Sequence, residues 1–237
     1  VFQVPTRDGI ELAARLDTTS KPVQSYALFA HCFTCHKDVI AASRISRALA
    51  RHGIATVRFD FTGLGGSDGD FANTNFSSNT HDLLAVADYM REGLQAPAIV
   101  IGHSLGGAAV LSVAGKIPEC RAVVSIGAPS LPGHVAHLLG PAARSTVEQS
   151  GDAEVQLGGR TFRIKKQFLE DLDQPEHLDR IRTMDRALLV MHSPADAVVG
   201  IDNAAAIYAA AKHPKSFIAL DGADHMLRRR EDAEFVA

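Results

Sequence analysis

Apolar runs rich in β-branched residues recur along the chain at Tyr26–Ala30, Ile54–Asp60, Ala98–Gly102, Ala122–Ile126, Ala187–His192 and Ser216–Leu220. A strand that is apolar at consecutive positions has no side left for water, so these runs predict strands covered on both faces. Helical patterns fall between them, near Asp38–His52, Ser77–Glu92, Ser104–Lys116 and Asn203–Lys212. Strands alternating with helices predict an α/β fold, a mostly parallel central sheet flanked by helices. Residues 1–17 differ: Phe2-Gln3-Val4 and Ile10-Glu11-Leu12 flank Asp8-Gly9, the pattern of a β-hairpin.

The alternation breaks between Pro129 and Asp185, a stretch too long for an ordinary connection. Within it, Ala153–Leu157 and Thr161–Ile164 alternate around Gly158-Gly159, a second hairpin signal. The expected organisation is a core over residues 1–128, a cap insertion over 129–185 containing the hairpin, and the rest of the core over 186–237.

Composition narrows the classes. The chain has 237 residues, 46% hydrophobic and 22% charged, with a formal net charge of −3. This suits a globular core and gives no electrostatic case for nucleic acid, because Lys165-Lys166 and Arg228-Arg229-Arg230 are too short to form a basic stripe. Both runs are expected to be solvated. No apolar run reaches the roughly 18 residues of a membrane span, so no membrane partner is expected. Cys32, Cys35 and Cys120 are an odd, sparse set, read as free thiols in a reducing, cytoplasmic setting.

The chemistry concentrates around G-H-S-L-G-G at 102–107, placed between a strand and a helix. That is the context of a nucleophile elbow, in which Ser104 is held at a sharp turn and the helix start offers N–H groups to an oxyanion. A nucleophile needs a base and the base an orienting acid, in the order serine, acid, histidine. Asp196, in Ser193-Pro194-Ala195-Asp196 after one strand, fits the acid. His225, in Ala223-Asp224-His225 after the next, fits the base. Asp202, Asp221 and Asp224 are rival acids, read as caps or loop hydrogen-bonders. His31 and His192 are read as buried, satisfied histidines at strand ends, and His103, inside the elbow, as pointing away from Ser104 by strand-like alternation. The oxyanion donors are expected to be the backbone N–H groups of Phe33, in His31-Cys32-Phe33-Thr34-Cys35, and of Leu105. The glycine-rich Asp60–Gly69 segment is read as a turn shaping the site, since no helix follows it at once.

Cys32 and Cys35 allow a different reading, a thiol redox pair or half of a zinc site. No further ligands complete four, so no metal is expected, and two small thiols lining a pocket is the favoured reading. Because Cys32 precedes the expected oxyanion donor, a bulky adduct or a link to Cys35 is expected to displace that donor and inhibit.

Together H-C-F-T-C, D-F-T-G-L-G-G-S-D-G, G-H-S-L-G-G, S-P-A-D and A-D-H resemble an α/β-hydrolase over essentially the whole chain. More narrowly, H-C-F-T-C-H-K, R-F-D-F-T-G-L-G, F-A-N-T-N-F-S-S-N and K-H-P-K-S-F resemble the hydrolase domain of bacterial proteins fused to an OsmC-like domain. The resemblance implies a cofactor-free serine esterase with Ser104, Asp196 and His225 as triad. It also implies an OsmC-like domain, fused or separate, as partner. Cys32 departs from the wider pattern, where glycine is usual. The expected reaction is hydrolysis of a small-molecule ester, with short acyl chains favoured. Amide cleavage or perhydrolysis on the same triad are the alternatives. Serine at the elbow argues against dehalogenase or epoxide hydrolase chemistry.

Overall fold

In the computed structural model, which describes residues 1–237, the chain opens on two antiparallel strands, β1 (Phe2–Pro5) and β2 (Glu11–Asp17). Six parallel strands follow: β3 (Ser25–Ala30), β4 (Ile54–Phe59), β5 (Ile99–His103), β6 (Ala122–Ile126), β9 (Ala187–His192) and β10 (Lys215–Ala219). Between β6 and β9 an antiparallel pair, β7 (Asp152–Leu157) and β8 (Arg160–Lys165), forms its own two-stranded sheet. The main sheet runs β1-β2-β4-β3-β5-β6-β9-β10, with β2 antiparallel to β4. Every run expected to be a strand is one, displaced by at most a residue or two.

Both faces are covered, as the continuous burial of Ala27, Leu28, Phe29 and Ala30 requires. On one face α1 (Ile40–Arg51) lays down Ala41, Ile45 and Leu49, four residues apart, beside Leu220, Ala223 and Leu227 from beyond β10. The carboxyl-terminal α8 (Arg230–Val236) packs on α1. The other face carries α2 (Phe76–Gly93) and α3 (Leu105–Val113), and the larger core cluster lies there. Helix α7 (Asp202–Ala210) adds Ala204 and Ile207 to the same cluster. The helix expected over Ser104–Lys116 is shorter: α3 ends at Val113 and a 3₁₀ turn takes Ala114–Lys116.

The inserted segment contains a 3₁₀ stretch (Pro132–Leu139), α4 (Gly140–Ser150), the β7–β8 hairpin, α5 (Lys166–Asp171) and α6 (His177–Thr183). It shares the larger core through Val147, Ile164, Phe168 and Ile181. It is also fastened where α2 begins. Asn75 and Ser78 form a capping box there, and the Asp171 carboxylate accepts from the Ser77 N–H (2.7 Å) and hydroxyl (2.6 Å). A carboxylate at a helix start is favoured by the free N–H groups and dipole of that end. Lys165 is not simply solvated, since its Nζ donates to Asn73 Oδ1 at 2.6 Å and so ties the hairpin to the core.

The start of α3 is tightly packed against the end of β3. A Cβ at Gly106 would sit 2.5 Å from the Ala30 carbonyl oxygen and closer still to that of His31. Gly106→Ala is therefore expected to lower stability by about 1–3 kcal/mol through overpacking. Gly93→Ala, with open space at its Cβ, should be neutral or slightly stabilising. Denaturant midpoints of the two variants check this, and equal midpoints would remove the claim.

Candidate active site

Ser104 lies between β5 and α3 with φ 55° and ψ −125°. A non-glycine residue held there costs about 1–3 kcal/mol and persists only when its surroundings enforce it. They do so by backbone bonds: the Ser104 N–H donates to the Ile126 carbonyl (2.9 Å) and its carbonyl accepts from the Gly107 N–H (2.8 Å). His225 follows β10, and its Nε2 is 3.0 Å from Ser104 Oγ while its Nδ1 is 2.7 Å from Asp196 Oδ2. Asp196 follows β9, and its other oxygen accepts from the N–H groups of Val198 (2.8 Å) and Val199 (2.9 Å). Burial alone would raise the Asp196 pKa, but hydrogen bonds from His225, Val199 and Val198 outweigh it and hold the carboxyl below its ordinary value. Gly127, with φ 52°, leaves the space beside this pair: a Cβ there would lie 3.3 Å from Asp196 Oδ2 and 3.4 Å from His225 Nδ1.

The rival carboxylates lie elsewhere. Asp202 opens α7, Asp224 accepts from the Arg228 N–H (3.1 Å), and Asp221 is exposed in the loop after β10.

The Phe33 N–H has no acceptor within the chain. Leu105 is the first residue of α3, where the N–H has no intrahelical partner. The side chain of Phe33 packs between Phe71 (5.8 Å between ring centroids) and Phe168 (5.4 Å), and Phe71 meets Phe162 of β8 at 4.9 Å. Arg160 of β8 lies over the Phe162 ring and donates to the Thr34 carbonyl. The cap thus grips the loop that carries Phe33 by stacking and by a charged hydrogen bond.

The cysteines differ from expectation. Cys32 and Cys35 form a disulfide, with Cα atoms 5.3 Å apart, and only Cys120 is free. The reason is local: Thr34 takes φ 57° and the Cys35 N–H donates to the Cys32 carbonyl (3.1 Å), a turn that brings the two side chains together. Neither sulfur is left as a zinc ligand or as a free pocket thiol, and the link coexists with an unengaged Phe33 N–H. The reading of the pair as free thiols is corrected, and with it their use as a sign of reducing surroundings. No helix is long and apolar enough to cross a membrane.

The far end of the same loop is held by charges that the sequence reading did not single out. Asp60, fully buried, accepts from the Lys37 N–H, from Lys37 Nζ (2.8 Å) and from the Gly66 N–H (2.8 Å). Ser67 then donates to the Asp60 carbonyl (2.6 Å), so the glycine-rich turn is folded onto the loop. Arg58, also fully buried, pairs with Asp17 at 2.7 Å and donates to the Lys37 carbonyl. A charged residue inside an otherwise apolar strand was the available signal.

Three buried histidines surround these groups, and each meets a backbone carbonyl. His31 Nδ1 is 2.8 Å from the Cys32 oxygen, His103 Nε2 is 2.7 Å from the His225 oxygen, and His192 Nε2 is 2.7 Å from the Val199 oxygen. Burial lowers the His31 pKa to about 4, and burial with the neighbouring His225 lowers that of His103 to about 3. A cavity of about 10 Å³ lies against the loop after β3, between Phe33, Phe61 and Leu105. One of about 440 Å³, lined by Arg121, Arg186 and Lys212, contains none of the triad residues.

A family model described as "Serine aminopeptidase, S33" matches residues 21–145, just over half of the chain. The chain is similar to a solved structure described as the esterase domain from a Rhodothermus marinus protein, with 52% identity, 99% of this chain and 92% of that one covered, and a TM-score of 0.79. It is 30% identical over 155 residues to the palmitoyl-protein thioesterase ABHD10, mitochondrial, of Mus musculus, covering 62% of this chain. The match spans 50% of that relative, about half its length. The solved structure of alpha/beta hydrolase domain-containing protein 10 from mouse covers 99% of this chain and 94% of its own at 21% identity and a TM-score of 0.78, a likeness of fold.

The buried imidazoles fix a pH response. The folded pKa values of His31, His103 and His177 lie below the ordinary 6.5, that of His177 at about 4 through burial. Below pH 6.5 the unfolded chain binds protons that the folded chain refuses, so their stabilisation is present above 6.5 and lost as pH falls towards 4 and 3. Asp82, raised by burial to about 6, acts oppositely, one carboxyl against three imidazoles. Stability from urea titrations is expected to fall between pH 6.5 and 4, with a slope of up to about 1.4 kcal/mol per pH unit for each histidine. A flat profile would contradict the burial.

Proposed function

This chain belongs to the serine aminopeptidase S33 family of hydrolases, and on that premise we propose that it is a serine carboxylesterase acting through an acyl-enzyme. The observation that carries the reading is the continuous line from Ser104 Oγ to His225 Nε2 (3.0 Å) and from His225 Nδ1 to Asp196 Oδ2 (2.7 Å). In this reading Ser104 attacks the ester carbonyl while His225 takes its proton. The anionic Asp196 holds His225 in the tautomer that leaves Nε2 free to accept, and stabilises the imidazolium as it forms. The Phe33 and Leu105 N–H groups receive the oxyanion. His225 then protonates the departing alcohol, and water repeats the sequence on the acyl-serine. The 52% identity to a domain described as an esterase supports this chemistry.

In this reading the packing of Phe71, Phe162 and Phe168 around Phe33 crowds the loop after β3 and favours short acyl groups. A second reading, thioester hydrolysis, is favoured by the curated relatives described as palmitoyl-protein thioesterases. The triad is unchanged and the leaving group becomes a thiolate. The resemblance to OsmC-fused hydrolase domains makes an OsmC-like domain the proposed protein partner.

A matched series of oxygen esters and thioesters from acetyl to palmitoyl, with anilides beside them, tests substrate class. Maximal kcat/KM is expected on short oxygen esters, and a maximum on palmitoyl thioester would replace that reading by the second. Ser104→Ala and His225→Ala should each lower kcat by about 10⁴-fold or more, and Asp196→Asn by about 10⁴-fold. Undiminished turnover in folded Ser104→Ala would end the proposal. For the disulfide, Cys35→Ser should lower kcat because the loop bearing a donor loses its clamp, with a ceiling of about 10²–10³-fold for complete loss of that donor. Turnover equal to the parent would show that the cap and Asp60 suffice.

A further inference from the structure

The structure assigns a shared role to His31, His103 and His192: each is a positioning residue that donates a hydrogen bond to the backbone carbonyl of one element of the proposed site. The inference rests on the serine hydrolase reading. His31 stands immediately after β3, and His103 and His192 are the last residues of β5 and β9. All three are at least 98% buried, with relative exposures of 1%, 2% and 0%. Their acceptors are the carbonyls of Cys32, His225 and Val199, at 2.8, 2.7 and 2.7 Å. A carbonyl can only accept, so the imidazole nitrogen facing it carries the proton, which makes His31 the Nδ1–H tautomer and His103 and His192 the Nε2–H tautomers.

Each acceptor is specific in what it fixes. The Cys32 carbonyl belongs to the same peptide unit as the Phe33 N–H. A bond to that oxygen sets the plane of the peptide and, by polarising it, strengthens the N–H as a donor to the oxyanion. The His225 carbonyl is on the base itself, and its donor, His103, is the residue next to Ser104. The bond therefore ties the backbone of the nucleophile to the backbone of the base across a separation of 122 residues. The Val199 carbonyl closes the turn whose N–H groups, from Val198 and Val199, hold Asp196. The other His192 nitrogen is buried without a partner. Leaving a buried polar atom unmade is costly, which is understandable if the ring is retained for the nitrogen that does bond. None of the three rings touches the Ser104 hydroxyl, so none is offered as an acid or base. Burial keeps the His31 and His103 rings neutral, so they add no charge beside the imidazolium that His225 becomes.

The test exploits which nitrogen donates. Glutamine places an amide N–H near the position of Nε2 and asparagine near that of Nδ1, whereas phenylalanine keeps the flat shape and loses the donor. The variants are His103→Gln and His103→Phe, His192→Gln and His192→Phe, and His31→Asn and His31→Phe, each confirmed as folded by circular dichroism and thermal melting. The phenylalanine variants at 103 and 31 are expected to lose about 10²-fold in kcat with KM unchanged, the cost of misplacing a reacting group by an ångström or so. The amide variants are expected to recover most of it. His31→Phe should further weaken binding of a trifluoromethyl ketone, which forms an oxyanion on Ser104, far more than binding of the ester. His103→Phe should slow labelling of Ser104 by a fluorophosphonate. The inference is overturned if phenylalanine and amide variants lose kcat equally, which would leave packing alone, or if the phenylalanine variants keep the parent kcat. It is also overturned if losses follow the melting temperature and appear equally in KM. Ser104→Ala separates the two levels: retained turnover there defeats the hydrolase reading, whereas lost turnover there with parental His103→Phe and His31→Phe defeats only the positioning role.

Discussion

Much of this molecule depends on how closely the start of α3 approaches the end of β3. Gly106 meets the carbonyls of Ala30 and His31 with no room for a methyl group. That approach places the first free N–H of α3 beside the loop that leaves β3, so the two N–H groups proposed to receive an oxyanion come from elements far apart in sequence. Ser104, squeezed into a left-handed backbone conformation between them, is where the cost of the approach is concentrated. The parallel sheet then does the rest. Its six parallel strands deliver their carboxyl ends to one edge, and the loops after β3, β5, β9 and β10 meet there.

The loop after β3 is the least regular of these, and it is restrained from every side. A disulfide brackets Phe33 and Thr34, Arg160 of the cap reaches the Thr34 carbonyl, and Asp60 and Arg58 hold Lys37. Buried ion pairs are weak evidence for stability, because desolvation consumes much of the attraction. Their effect here is geometric. Removing one partner would leave a charge stranded in the core, so the register of the loop against β4 is enforced by penalty more than by attraction.

The sheet, the hairpins and the order serine, aspartate, histidine were legible because each has a signature in residue type and spacing. Continuous apolar runs mark β3, β5 and β6, Asp8-Gly9 and Gly158-Gly159 mark the hairpins, and the strand–turn–helix context marks Ser104. Choosing Asp196 over Asp224 followed from its place after β9, and the 2.7 Å contact is what separates them in space. The disulfide was not legible, since a pair of cysteines three apart can be thiols, ligands or a bridge until Thr34 adopts its turn. The carbonyl-bound histidines were hidden for a deeper reason. Their partners are backbone oxygens, which every residue possesses, so no pattern of side chains announces them. Arg58 was concealed inside a run that otherwise reads as core.

His225 hangs from β10, an edge strand paired on a single side, with β9. Its loop is pinned by Leu220, Ala223 and Leu227 against α1, an element completed some 170 residues earlier. Ser104 and His225 are themselves 121 residues apart. The approach of His225 to Ser104 therefore depends on how this open edge of the sheet is closed, and not only on the elements that hold Ser104. The same edge is the natural first site of fraying in the mature protein, which makes chemical competence a more sensitive gauge of integrity than secondary structure content.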